Sequence, residues 1–177
     1  MCIYIFSATQ GCRKTYDPGD WNILPERNVD EPEPPQDLPG KNFKVLSINM
    51  RVTTADDFQT MVEYVKEYDP DFVFLRQVDS ATTRANKVNR PQVMADALGM
   101  HSFFKKNFDY QTGGFGNAVL SKFPIKATYG QILRRVEEGT PSTAELRSFV
   151  MLKAEVATGQ EIYFGGTELD PNADNRV

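Results

Sequence analysis

From Lys41 onward the chain switches between two hydrophobic periods, and each switch marks an element. Phe43-Lys44-Val45-Leu46-Ser47-Ile48-Asn49 is rich in strand-forming residues and runs into the polar triplet Asn49-Met50-Arg51. Thr54 is placed to cap a helix whose first turn carries Asp56 and Asp57, where the helix dipole favours acids. Phe58, Met61, Val62 and Val65 then fall at i, i+3, i+4 and i+7, one apolar stripe. Pro70 ends that helix. Phe72-Val73-Phe74-Leu75 is an unbroken apolar run, the mark of a strand buried on both faces. Pro91 opens a second helix that reaches Leu98 and closes at Gly99. His101 to Phe104 and Ala118 to Ser121 read as strands, and Gly113-Gly114-Phe115-Gly116 reads as a glycine-rich hairpin turn before the second of them. Phe149 to Val156 and Glu161 to Phe164 make a hairpin through Thr158-Gly159-Gln160. Strands and helices in this order predict a mixed α/β (α+β) layered domain over 41–177.

Ahead of that domain the pattern disappears. Residues 15–40 hold six of the eleven prolines, including Asp30-Glu31-Pro32-Glu33-Pro34-Pro35, and read as an acidic, extended linker with Trp21 and Ile23 as its few apolar contacts. Residues 1–14 carry a short apolar stretch followed by Thr9-Gln10-Gly11-Cys12, which resembles the remnant of a bacterial lipoprotein signal without a basic n-region. On that reading the protein is secreted or lipid-anchored; otherwise the terminus is uninformative and the protein is cytoplasmic.

Composition narrows the chemistry. A chain of 177 residues is long enough for one sizeable core, and no apolar run approaches the ~18 residues of a membrane-spanning helix. Cys2 and Cys12 are the only cysteines, which excludes a disulfide framework or a cysteine zinc site within 41–177. His101 is the single histidine, so no site can rest on several histidines; it reads as a structural residue at a strand start. The net charge is −4, yet residues 1–40 hold seven acids against three bases, leaving 17 of each sign afterwards. A formally neutral domain offers no general basic face for nucleic acid.

Five ordered stretches carry a resemblance. Ser47-Ile48-Asn49-Met50-Arg51 and Asp69-Pro70-Asp71-Phe72-Val73-Phe74-Leu75-Arg76-Gln77-Val78-Asp79 are similar to the first two motifs of the endonuclease/exonuclease/phosphatase superfamily. Gly116-Asn117-Ala118-Val119-Leu120-Ser121-Lys122-Phe123-Pro124-Ile125 resembles its central strand motif. Glu145-Leu146-Arg147-Ser148 and Gly165-Gly166-Thr167-Glu168-Leu169-Asp170 fall where the next two belong. The resemblance implies a four-layer α/β/β/α sandwich of the deoxyribonuclease I-like type, present as its N-terminal portion. It also implies a phosphoester hydrolase using Mg2+ or Mn2+, acting on a small molecule, a lipid head group or nucleic acid, with no protein partner inferable. The neutral domain and the leader favour a small or lipid-linked ester. By position, Asn49 and Gln77 would face the metal, Asn49 and Arg147 the phosphate, and Asn117, Glu168 and Asp170 the reaction.

The departures matter as much as the matches. The family glutamate that anchors the metal is Gln77 here, with Arg76 beside it, and the change removes a unit of charge that a hard divalent ion needs. The family's Thr-His-Leu-Asp becomes Thr167-Glu168-Leu169-Asp170, an anion where a phosphate partner belongs. The later aspartate and histidine motifs do not occur before Val177. The expectation is an incomplete, inactive hydrolase with weakened metal binding; the alternative is a non-catalytic binding or scaffold remnant. Arg84 and Asn89 are expected in a surface loop, at most lining the substrate edge. Arg134-Arg135 and the acid pairs Asp56-Asp57 and Glu137-Glu138 are expected to be solvated.

Overall fold

A computed structural model describes residues 42–51, 54–133 and 145–170 of this chain. The leader, the linker, Arg134-Arg135, Glu137-Glu138 and the last seven residues lie outside the described residues. Strand β1 (Val45–Asn49), helix α1 (Ala55–Tyr68) and strand β2 (Phe72–Ser80) form a strand–helix–strand unit with β1 and β2 parallel. Thr54 caps α1 as its position predicts, its hydroxyl accepting from the Asp57 amide at 3.0 Å. At the other end Asp69 turns into the left-handed region (φ 50°), and its N–H donates to the Val65 and Lys66 carbonyls before Pro70 stops the helix. Helix α2 (Arg90–Leu98) closes on Gly99, whose φ of +64° favours glycine.

Strands β3 (His101–Tyr110) and β4 (Gly113–Ser121) complete a four-stranded sheet in the order β1-β2-β4-β3. Strands β5 (Ile125–Ile132), β6 (Ser148–Ala157) and β7 (Gln160–Thr167) form a second, antiparallel sheet in sequence order. One face of the first sheet carries the helices: Leu46, Phe58, Val62, Val65, Val73, Leu75, Met94 and Leu120 make one apolar cluster. Fully burying a side chain such as Leu75 or Val65 contributes about 1.5–3 kcal/mol. The other face meets the second sheet. There the Phe72 ring lies 5.0 Å from the Phe164 ring, and a Cβ at Gly166 would come within 2.6 Å of the Phe74 ring. The run 72–75 is thus buried on both faces, as its unbroken apolar character predicts.

The described residues make three layers, helices on a sheet on a sheet, of α+β class. No helix among them is long and apolar enough to cross a membrane. Two sequence expectations change, and one strand has no counterpart among them. Gly113 to Gly116 lie inside β4, and the turn sits at Gln111-Thr112. Those glycines answer cross-strand crowding, since a Cβ at Gly116 would come within 2.1 Å of the Lys105 carbonyl oxygen. Strands β2 and β3 run on to Ser80 and Tyr110, past their apolar segments. Strand β5, largely exposed, lacks the alternation that would have announced it.

Candidate functional site

The residues singled out by the motifs gather where β1, β2 and β7 end and β6 begins. Strand β2 arrives with an irregularity: its register against β4 shifts between Leu75 and Val78, so Arg76 and Gln77 form a bulge. Gln77 there has φ 54°, a left-handed conformation that costs a non-glycine residue about 1–3 kcal/mol and persists only when its surroundings hold it. Asn117 provides that hold. Completely buried on β4, its Oδ1 accepts the Gln77 backbone N–H at 3.3 Å. Its Nδ2 donates to the Ser148 carbonyl at 3.0 Å and hydroxyl at 3.2 Å. Thr167 Oγ1 donates to that same carbonyl at 3.0 Å. One amide therefore links the bulge of the first sheet to β6 of the second, and both its ends are used as scaffold.

The bulge presents Gln77 to Glu168. Gln77 Nε2 donates to Glu168 Oε1 at 2.8 Å, joining positions 91 residues apart. The amide orientation follows from chemistry, because its oxygen would repel the carboxylate. The other Glu168 oxygen lies 3.3 Å from Arg147 Nη1, close enough for an ion pair but not aligned as a hydrogen bond. Arg147 also reaches Glu145 at 3.5 Å. Burial raises the Glu168 carboxyl above its ordinary range, against the pull of Arg147, Arg76 and Arg51 and with the push of Glu145. Four buried polar atoms in this cluster make no hydrogen bond: Gln77 Oε1, Arg76 Nε, Arg147 Nε and Glu168 Oε2.

The remaining site residues sit around this cluster. Asn49 is exposed at the end of β1, in register with Arg76, and its Oδ1 accepts the Arg51 N–H at 3.0 Å. Asp170 is half-buried just beyond β7. These residues do not fit a divalent metal. Position 77 holds a neutral amide, the Glu168 carboxylate is bonded to that amide and faces Arg147, and Arg76 and Arg51 add positive charge. No group of three metal-ligating side chains occurs among the described residues.

A second polar cluster was missed in the sequence. Asp79, two residues along β2 and fully buried, accepts from Thr82 Oγ1 at 3.0 Å and from Arg84 Nε at 3.1 Å. Buried Arg90 stands 3.7 Å away. Arg84 also stacks over the Tyr110 ring, 4.5 Å from its centroid, so it is not a loose loop cation. Arginines at 84 and 90 carry no periodic signal, and only the alternation Gln77-Val78-Asp79 after an apolar run hints that Asp79 turns inward.

No protein-family model and no curated protein sequence matches the chain. Solved structures do. The endonuclease/exonuclease/phosphatase from Beutenbergia cavernae DSM 12333 superposes with a TM-score of 0.53 at 16% identity, over 72% of this chain and 38% of that one. The endonuclease/exonuclease/phosphatase family protein from Leptotrichia buccalis C-1013-b gives 0.56 at 15% identity, over 75% of this chain and 56% of that one. The match spans well under two thirds of either structure. These superpositions show the fold: the chain has the arrangement of the endonuclease/exonuclease/phosphatase proteins, deoxyribonuclease I-like, over the part it covers.

Proposed function

We propose that this chain recognises phosphate esters at the edge formed by β1, β2, β6 and β7 and does not hydrolyse them. The observation that carries this reading is the Gln77–Glu168 hydrogen bond. Both residues stand at positions where the resembling family places its metal carboxylate and a phosphate-facing histidine. Here the two have become partners of each other, which removes the charge that would hold magnesium and the cation that would meet phosphate. The fold and the arginines around Glu168 support the ligand class, a phosphate ester on a small molecule, a lipid head group or a nucleic acid. The test is hydrolysis of bis-p-nitrophenyl phosphate with magnesium or manganese. No turnover is expected. Turnover that disappears with chelator would overturn the reading.

One observation favours a second reading, metal-dependent hydrolysis. The carboxylate absent at position 77 reappears at position 168, 2.8 Å from the amide that replaced it. The same assay separates the two.

A further inference from the structure

The cluster around Gln77 carries three guanidinium groups, Arg51, Arg76 and Arg147, among the carboxylates Glu145 and Glu168, with Asp170 two residues beyond Glu168. A divalent cation entering it meets three guanidinium groups beside a neutral amide, whereas an anion meets donors. Those donors are unsatisfied. Arg76 Nε and Arg147 Nε are buried and have no acceptor, and a buried donor left without one costs stability. They come from different layers, Arg76 from β2 and Arg147 from the segment entering β6. Glu168 lies with them, 15% exposed, with one oxygen near Arg147 but misaligned for a hydrogen bond. The Glu168 carboxylate, just past the end of β7, thus offsets part of this positive charge while Arg76 Nε and Arg147 Nε stay without an acceptor. A free tetrahedral oxyanion has no backbone tether and offers oxygens in several directions, the geometry that suits arginine forks.

We propose that Glu168 is an internal stand-in for a phosphate group, and that a phosphate binds by displacing it from the Arg76–Arg147 pair without any divalent metal. Gln77 Nε2, released from Glu168, becomes a further donor to the ligand. Arg51 and Asn49, at the exposed end of β1, form the rim on the solvent side. The same arrangement explains why a neutral glutamine serves at position 77: a carboxylate there would repel both Glu168 and the incoming anion. The ligand is inorganic phosphate or a phosphomonoester, which share this chemistry.

The inference rests on the phosphate reading above, yet the two fail separately, since chelator-sensitive hydrolysis would remove the non-hydrolytic reading and leave metal-free binding untouched. The experiment is calorimetric titration of the full chain with inorganic phosphate and with phenyl phosphate, in chelator and again with magnesium. The variants are Glu168→Gln and Arg76→Gln. Binding in chelator, unchanged by magnesium, is expected. Glu168→Gln keeps the hydrogen-bonding shape toward Gln77 while removing the competing charge, so affinity should rise about tenfold or more. Arg76→Gln should lower it by a similar factor, with thermal unfolding of each variant confirming a folded chain. Tighter binding of phenyl phosphate marks a monoester as the ligand and equal binding marks free phosphate; both support the proposal. Binding that requires magnesium, or a folded Glu168→Gln chain that binds no more tightly than the parent, would overturn it. So would absence of binding in both.

Discussion

Two charged clusters stand two residues apart on the same strand, and they are built on opposite principles. Around Asp79 every carboxylate oxygen has a donor or a cation: Thr82 and Arg84 bond it, Arg90 stands behind, and Arg84 is stacked on Tyr110. Around Gln77 one Glu168 oxygen is bonded, by the Gln77 amide, and four buried polar atoms are left over. Closed networks of buried charge hold a fold, because breaking one leaves a stranded ion. Open ones cost stability that native proteins seldom forgo except where a ligand completes them. Both clusters contain arginines and one inward carboxylate, so residue type alone does not separate them. Counting satisfied atoms does.

The contrast can be broken most severely at Asp79. Asp79→Ala takes a carboxylate away from Arg90, which is 2% exposed, and should lower unfolding free energy by about 3–5 kcal/mol in urea titration. A loss under 1 kcal/mol would place the cluster with ordinary surface ion pairs. Asn117→Ala comes next: it unpairs the Gln77 N–H and removes two bonds to Ser148, for an expected loss of about 1–3 kcal/mol by the same measurement. Gln77→Glu has a smaller effect. It places a second carboxylate next to Glu168 and should confer about 1 kcal/mol or less of magnesium-dependent stabilisation, read as a melting-temperature shift absent from the parent chain.

The smallest effect is a change of slope with pH. Glu168 has its carboxyl raised by burial above its ordinary value of 4.5, so the folded chain binds that proton more tightly than the unfolded one. Its contribution is therefore fully present below pH 4.5 and is lost as pH rises from there through the raised value. Denaturant midpoints across that window should fall for the parent chain and flatten in Glu168→Gln. Identical slopes would mean that Glu168 is as well solvated as a surface acid.

The sequence was most informative where local chemistry decides the outcome. The Thr54 cap, the Phe58–Val65 stripe and the unbroken run at 72–75 each dictate one conformation, and the structure has it. The pattern misled where glycine had two meanings: 113–116 serve close strand packing, not a turn, and nothing local tells these apart. Strand β5 escaped because a mostly exposed strand need not alternate. At the site, the substituted motif positions 77 and 168 were visible as departures from a resembling family, but their bond was not. Pairing across 91 residues is fixed by the bulge in β2 and the packing of two sheets, neither of which leaves a periodic trace. The buried scaffold role of Asn117 was equally hidden, since a lone asparagine in an apolar strand reads the same whether its amide faces a ligand or a backbone.

The Asn117 link also has a use as a clock. The Gln77 amide hydrogen is held by a side chain on β4 whose other end is held by β6, so it lies out of solvent while the two sheets stay together. Its exchange with deuterium therefore reports opening of the β2 bulge, which β6 restrains through the other end of Asn117. Neighbouring amides bonded backbone to backbone report the fraying of that sheet alone, and the ratio of the two rates gives the extra protection that the tie to the second sheet confers on the bulge.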